Sequence, residues 1–514
     1  MLQFKQKLSI AISLFFLTSS IFHALPSSAS GPKTGAKCPV EGFRQTEKSI
    51  QYVCTKSGKK LKWKKDLTKA KSFDVLKTYS TDLGYMDDIQ GGPCAVDPLT
   101  PPEWKAMEQF SLSRGGCGGQ IRLAKYELGV QRPKIDFEES SKFSELSKCK
   151  ISINNDRKGL SHEKNPWREE RKYPSPNTVI QLIPIYSSDS KPPSNTPAKD
   201  YEKFLKYMKE WIDYSSDFGS DTKYRIPSEY IKFDKKIGDY KLQHPVRFDE
   251  PNHVAFNKDV IEAVDAKIDF TGAHIGIIVA PAGTDAAVMQ QAALGSFQTN
   301  EGKVPVGLSQ FADLPENARG SFYSGLTHPF WWIHEVYHAG FGLDDHYGDT
   351  QRNIETEYGM GWWTMMTPWG GDLSIWEKWI LGFVQDSQFQ CAPGNRTSTH
   401  WIAPSSVRTT QSKSVIVPVS NTKVIVVESM RVAGLNYKIG QENQGALVYE
   451  IDFTKEEHGM GMKLSLPANR KTESLQFFLS GAALKPGDHT ISNGYKISVL
   501  ESGTFGDVIK VEKA

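Results

Sequence analysis

Two histidines and a glutamate lie close together within residues 327–349, which read THPFWWIHEVYHAGFGLDDHYGD. His334, Glu335 and His338 form the pattern HExxH. Residues four positions apart lie on one face of a helix, so both imidazoles can bind one Zn²⁺ while Glu335 lies beside them. The pattern predicts a hydrolytic site in which Glu335 accepts a proton from zinc-bound water. The glycines expected to end this helix and turn the chain are Gly340 and Gly342.

A catalytic zinc site needs a third protein ligand and an open position for water. Asp344, Asp345 and His346 crowd the segment directly after the glycines. Carboxylates further along the chain, at Glu355 and Glu357, could also reach the metal. The residue types alone do not identify the third ligand.

The segment resembles the metzincin clan and, within it, the immune inhibitor A family of secreted bacterial metallopeptidases, whose motif is HExxHxxGLxD. Counted from the histidines, Asp344 falls on the aspartate of that motif. Phe341 stands where the family has glycine, and Gly342-Leu343 comes one position late. The resemblance therefore implies Asp344 as the third zinc ligand, with His346, Glu355 or Glu357 as alternatives.

Two further segments carry the same resemblance. Residues 361–367 (GWWTMMT) are similar to the family's Gly-x-Trp-x-x-Met segment, which implies a methionine turn with Met366 as an apolar floor beneath the ligands. Residues 373–383 (LSIWEKWILGF) are similar to the helix after that turn. The similarity covers 178–514 in outline and also implies structural Ca²⁺. Oxygen ligands for calcium are available at Asp344, Asp345 and Asp349.

The composition is that of a globular chain, with 514 residues, 39% hydrophobic and 24% charged, and a net charge of +3 that argues against a nucleic-acid partner. Residues 1–30 combine two lysines, an apolar run and Ser28-Ala29-Ser30, which predicts a signal peptide and a secreted or cell-surface protein starting at Gly31. No later apolar run is long enough to span a membrane. Export makes the six cysteines available for disulfides, and Cys38 with Cys54 is the first predicted pair.

Composition and periodicity divide the exported chain into four regions. Residues 31–66 form a small basic cysteine-pair module whose lysines could bind an anionic cell wall, and 67–177 is a loop-rich region and possible pro-region. Residues 178–394 form an α/β (α+β) metzincin-like catalytic domain, and 395–514 a β-sandwich-like domain. Buried strands are predicted at 178–186 and 275–280, and helices at 201–212 and 257–266.

These patterns favour a secreted zinc endopeptidase acting on protein or peptide, with peptidoglycan crosslinks as another possible substrate. The alternative is a catalytically inactive cell-surface or cell-wall binding protein on the same fold. Glu335 favours the enzyme, because a chain relieved of catalysis has no need of a carboxylate between the two histidines.

Overall fold

The computed structural model describes residues 33–37, 44–47, 50–65, 133–138, 140–151, 160–162, 178–217, 220–242, 251–285, 288–289, 295–309, 329–346, 359–361, 363–367, 371–436, 439, 443–455, 461–471 and 481–514. Within these residues the chain forms four sheets and four α-helices, a mixed architecture in which strands predominate. The predicted signal peptide and Cys38 lie outside the described residues, so the predicted Cys38–Cys54 pair does too.

The first sheet is antiparallel and has the order β1 (Arg44–Glu47), β2 (Ile50–Ser57) and β3 (Lys60–Lys65). Tyr52 and Trp63 are buried and join an apolar cluster with residues near the carboxyl end of the chain. The residues that complete this cluster are Trp401, Phe505 and Val508.

The second sheet has six strands and is mainly parallel. Its strands are β4 (Val179–Tyr186), β5 (Lys223–Arg225), β6 (Ile231–Lys232), β7 (Ile275–Val279), β8 (Gly295–Thr299) and β9 (Gly302–Ser309). The order is β5-β4-β7-β9-β8, with β6 beside the end of β4, and only the β8–β9 pair is antiparallel. The helices that the structure describes are α1 (Pro197–Ser215), α2 (Pro251–Val264), α3 (Pro329–Val336) and α4 (Ile375–Ile380).

Helices cover both faces of this sheet, which explains why its central strands are apolar throughout. In β7, Ile275 and Ile277 join a cluster with α1 and α3, whereas Ile278 joins a cluster with α2. The predicted strands at 178–186 and 275–280 are confirmed. The predicted helix at 201–212 is confirmed and starts earlier, because the Thr196 side chain caps it and Pro197 suits its first turn.

Nine strands follow, in two further sheets. They are β10 (Phe389–Cys391), β11 (Ser398–Ile402), β12 (Ser414–Ser420), β13 (Lys423–Met430), β14 (Gly445–Asp452), β15 (Met462–Leu464), β16 (His489–Ser492), β17 (Tyr495–Gly503) and β18 (Gly506–Lys513). The five-stranded sheet has the order β10-β12-β13-β14-β15, and the four-stranded sheet has the order β11-β18-β17-β16.

The five-stranded sheet is also covered on both faces. Val415 and Val417 of β12 join a cluster with the four-stranded sheet, while Ile416 between them joins the cluster that contains α1, α3 and α4. The same alternation recurs along β13 and β14. The two halves of the chain therefore share one apolar core.

Part of the loop-rich region before residue 178 belongs to this core. Cys149 forms a disulfide with Cys391, across 242 residues of sequence. Ile151 and Leu160 are buried in the shared cluster, and the Trp376 indole N–H donates to the Leu160 carbonyl at 2.8 Å. None of the described helices combines the length and apolar character needed to cross a membrane.

Candidate metal centre

The two histidines lie at the junction of α3 and a π-helical turn. Helix α3 carries His334 and Glu335, and the turn Tyr337–Phe341 carries His338. Gly342 ends the turn in the left-handed conformation, with φ +75°, and its N–H donates to the His338 carbonyl at 3.1 Å. The chain reverses at this point and returns towards the histidine side chains.

The turn lies directly on the parallel sheet. A Cβ atom on Gly340 would come within 1.9 Å of Cδ1 of Ile275, so glycine at this position permits the close approach of turn and strand. Ile275 is the first residue of β7, which places the turn over the amino-terminal end of this central strand.

Three buried acceptor atoms converge after the turn. Nε2 of His338 lies 3.0 Å from Nε2 of His334, and both nitrogens lie 3.2 Å from Oδ1 of Asp345. Three ligand atoms bound tetrahedrally to Zn²⁺ at 2.0–2.1 Å lie about 3.3 Å from one another. The triangle formed by His334, His338 and Asp345 therefore fits a small divalent cation.

Backbone carbonyls orient both imidazoles. Nδ1 of His334 lies 3.0 Å from the Met365 carbonyl, and Nδ1 of His338 lies 2.7 Å from the Leu343 carbonyl. A carbonyl only accepts, so each Nδ1 carries a hydrogen, and a ring that has no proton on Nε2 directs that lone pair at the centre of the triangle.

The site favours positive charge. Burial lowers the pKa of His338, but the Asp345 carboxylate and the Glu335 charge outweigh burial and raise that pKa to about 9. Two nitrogen lone pairs and a carboxylate oxygen repel one another unless a cation lies between them. A proton or a metal ion can supply that cation.

Asp345 takes the place that the family motif implies for Asp344. The Asp344 carboxylate is half-buried and accepts a hydrogen bond from the Asp345 backbone N–H at 3.0 Å, and Asp344 is not in the described group of possible metal ligands. Counting from Gly342 instead of from His338 would have indicated Asp345, because Gly342-Leu343-Asp344-Asp345 reads G-L-x-D.

A π-helical turn precedes Asp344 and Asp345. A π-helical turn accommodates one more residue than the corresponding α-helical turn, and such insertions occur often at functional sites. In this chain Gly342 follows the turn directly, and the chain reversal there brings Asp345 to the two histidines.

The other predicted residues lie near the centre or outside the described chain. His346 is buried with its Nε2 3.1 Å from Oε1 of Glu377, and it does not join the group of possible ligands. Met366 is buried, and its carbonyl accepts from the His346 backbone N–H at 3.0 Å. The predicted positions outside the described residues are Asp349, Glu355 and Glu357.

Comparison with protein-family models, with curated proteins and with solved structures finds no match for this chain.

Proposed function

We propose that this chain is a zinc-dependent endopeptidase with a metzincin-like catalytic domain. The observation that carries the proposal is the buried triangle of His334 Nε2, His338 Nε2 and Asp345 Oδ1, with sides of 3.0–3.2 Å. Glu335 lies in α3 between the two histidines and is itself 8% exposed. This arrangement supports a metal site with a proton acceptor beside it.

Each residue has a distinct role in the proposed reaction. When bound, zinc would lower the pKa of water and polarise the peptide carbonyl. Glu335 accepts the proton of the attacking water and passes it to the leaving amine. The Met365 and Leu343 carbonyls hold the two imidazoles in the tautomer that offers Nε2.

Zinc is favoured over other metals by the position of Glu335. Two histidines and one carboxylate can also hold non-haem Fe²⁺ for oxygen chemistry. A glutamate between two histidines four apart on a helix matches the needs of hydrolysis, because it places a general base beside the metal. Metal analysis of the purified protein should therefore find about one zinc per chain.

The decisive experiment compares the unmutated chain with Glu335→Gln protein of matched zinc content on a mixed peptide library. Loss of the general base should lower the cleavage rate by at least about 100-fold while zinc remains bound. His334→Ala protein should lose both zinc and cleavage. Full activity of the Glu335→Gln protein with zinc bound would contradict the mechanism.

Other outcomes would redirect the proposal. No cleavage by zinc-loaded unmutated protein would favour the catalytically inactive binding protein. Cleavage of peptidoglycan crosslinks without cleavage of proteins would keep the chemistry and change the substrate. Stability that does not respond to calcium removal would oppose structural Ca²⁺. Of its three predicted ligands, Asp345 joins the histidines and Asp349 lies outside the described residues.

We also propose that the protein is exported. The signal-like composition of residues 1–30 supports this, and so does the Cys149–Cys391 disulfide, since disulfides persist mainly in oxidising compartments. Detection of chain starting at Gly31 in the culture medium would test the assignment. Retention of residues 1–30 on intracellular protein would contradict it.

The β2–β3 hairpin suggests attachment to an anionic cell-wall polymer. Lys60, Lys62 and Lys64 alternate with buried Trp63 along β3, so they lie on the face turned away from the packed side of the sheet. A row of lysines on one face can follow the charges of a linear polyanion. Binding to isolated cell walls should weaken in high salt and on Lys60→Gln/Lys62→Gln/Lys64→Gln substitution, and salt-independent binding would contradict the proposal.

A further inference from the structure

We infer that Glu377 is a positioning residue that holds both flanks of the metal centre. This inference rests on the proposed metal site, and it assigns a role to a side chain of α4 that is not itself in the group of possible ligands. Glu377 is fully buried, and its two carboxylate oxygens face different segments of the site. One segment carries Asp345 and the other orients His334.

The first flank is reached through His346. Oε1 of Glu377 lies 3.1 Å from Nε2 of His346, the residue directly after Asp345. The backbone of His346 is fixed as well, because its N–H donates to the Met366 carbonyl and its carbonyl accepts from the Met360 N–H. Fixing His346 at both its side chain and its backbone limits where the Asp345 carboxylate can lie.

The second flank is reached through Thr364. Oε2 of Glu377 accepts a hydrogen bond from the Thr364 hydroxyl at 2.5 Å, and that hydroxyl accepts from the Met366 N–H at 3.3 Å. These bonds fix the turn whose Met365 carbonyl lies 3.0 Å from Nδ1 of His334. The Glu377 carboxylate thus supports the turn whose Met365 carbonyl orients His334 and also the segment that carries Asp345.

Helix capping uses the same residue but does not account for the whole arrangement. Oε2 of Glu377 also accepts from the Ser374 N–H at 2.8 Å, in a capping box at the start of α4. Burial raises the pKa of Glu377, but hydrogen bonds and charge from His346, with hydrogen bonds from Thr364 and Ser374, outweigh burial and lower it. A capping box needs only the backbone contact, whereas the ion-pair contact with His346 and the hydrogen bond from Thr364 connect the carboxylate to the metal centre.

The test measures zinc affinity of the full chain by competition with a chromophoric chelator. Glu377→Gln protein should bind zinc about 10–100-fold more weakly, the usual effect of changing a residue that orients metal ligands. Its Co²⁺ form should also show a changed visible absorption spectrum, which reports ligand geometry. Glu428→Gln is the matched control, because Glu428 is a buried carboxylate that accepts from the Ile375 N–H of α4 at 3.3 Å.

A second pair of variants covers the case in which Glu377→Gln protein does not fold. Thr364→Val removes the hydroxyl that reaches Glu377 and keeps the shape, whereas Thr364→Ser keeps the hydroxyl. We expect weaker zinc binding for Thr364→Val and affinity close to that of unmutated protein for Thr364→Ser. Equal affinity of these two variants would overturn the inference.

The outcomes separate this inference from the proposed function. Zinc affinity of Glu377→Gln protein within about threefold of unmutated protein would overturn the positioning role while leaving the peptidase proposal intact. The same loss in Glu428→Gln protein would also overturn it, because the effect would then be general destabilisation of α4. Unmutated protein that binds zinc but cleaves nothing would defeat the function alone, and unmutated protein that binds neither zinc nor Co²⁺ would defeat both.

Discussion

Asp344 and Asp345 are adjacent in the chain, yet their carboxylates have different surroundings. Asp345 is 6% exposed and its Oδ1 faces two imidazole nitrogens, whereas Asp344 is half-buried and accepts from a backbone N–H. Removing the charge of Asp345 would therefore weaken a ligand of the proposed metal site. Removing the charge of Asp344 changes one local hydrogen bond, because an amide oxygen can still accept from the same N–H.

We predict that Asp345→Asn lowers zinc affinity by about 100-fold or more, which is at or beyond the usual effect of changing a residue that only orients a metal ligand. Asp344→Asn should change it by less than about threefold, since the amide oxygen can still accept from the Asp345 N–H. A chelator titration of both variants measures the difference. A larger loss in the Asp344→Asn protein would restore the ligand that the family motif implies.

His400 provides a pH-sensitive contribution to stability. Its Nδ1 lies 2.8 Å from Oε1 of Gln390 and its Nε2 lies 2.7 Å from the Ser398 hydroxyl, which suits a neutral ring with one donor and one acceptor. Burial lowers the pKa of His400 to about 3. The charge of Glu138 raises this pKa and the charge of Arg396 lowers it, both by less than burial does. In the unfolded chain the pKa is about 6.5, so below that pH the unfolded state binds a proton that the folded state does not.

Stability should therefore fall as the pH drops from 6.5 towards 3. In this window the free energy of unfolding should fall less steeply with decreasing pH in His400→Gln protein than in unmutated protein. We predict a difference in slope of up to about 1.4 kcal/mol per pH unit. Urea unfolding at pH 7, 6 and 5 measures the slopes, with His489→Gln as a control in the same sheet. Parallel slopes for unmutated and His400→Gln protein would refute the prediction.

The residues of the metal centre differ in how far the sequence could reveal them. His334, Glu335 and His338 follow from helical periodicity, because α3 and the π-helical turn that continues it supply all three. The third carboxylate depends on the π-helical turn, and nothing in HAGF marks a π-helix rather than an α-helix. The carbonyls of Met365 and Leu343 have no sequence signal, since every residue has a carbonyl.

At the scale of elements, the contact between the π-helical turn and β7 determines where the histidines lie. Gly340 packs on Ile275, and a Cβ there would approach Cγ1 of Ile275 to 2.2 Å. The isoleucine is buried in the shared core and cannot move without displacing its neighbours. The absence of a side chain at position 340 is thus a packing requirement.

We predict that Gly340→Ala destabilises the protein by about 1–3 kcal/mol, the usual cost of overpacking, in spite of the higher helix propensity of alanine. Ile275→Ala removes both clashing carbons, so the double variant should be less destabilised than the sum of the two single changes. Denaturant unfolding of the four proteins in this cycle measures the coupling. Additive effects would contradict the proposed contact.

The positions of the strands can be predicted from the sequence more readily than the way in which the strands pair. Apolar runs such as 415–419 and 424–427 predict strands because both faces of the five-stranded sheet are buried, and β12 and β13 confirm them. The parallel pairing of β10 with β12 could not be inferred, because it joins a strand before residue 395 to a sheet formed after it. Short strands carry no pattern that identifies a partner distant in sequence.

At the scale of the whole molecule, the helical half and the β-rich half bury one another. Ile375 and Trp376 of α4 share a cluster with the inner face of the five-stranded sheet, and the Trp376 backbone N–H donates to the Tyr449 hydroxyl at 3.4 Å. The side chains that this sheet contributes include Ile416, Val424, Val426, Leu447, Tyr449, Ile451, Met462 and Leu464. Burying each of these side chains stabilises the fold by about 2 kcal/mol. The net free energy of unfolding of a typical domain is only about 5–15 kcal/mol, so exposing this face would cost a large part of it.

We predict that a fragment of residues 178–394 does not fold, although the sequence suggests a domain with those limits. Its core would be open to water where the five-stranded sheet packs. Circular dichroism and solubility of the fragment, compared with the chain 31–514, provide the measurement. A soluble, zinc-binding fragment would contradict the shared core.

The Cys149–Cys391 disulfide closes a covalent ring of the chain, and His334, His338, Asp345 and Glu377 all lie within it. A single cut of the backbone anywhere inside the ring would leave the two pieces joined through sulfur. Under the proposed function the chain would meet copies of itself during secretion, and such nicking would not release the proposed metal ligands. Nicked protein would migrate as one species in non-reducing electrophoresis and as two only after reduction.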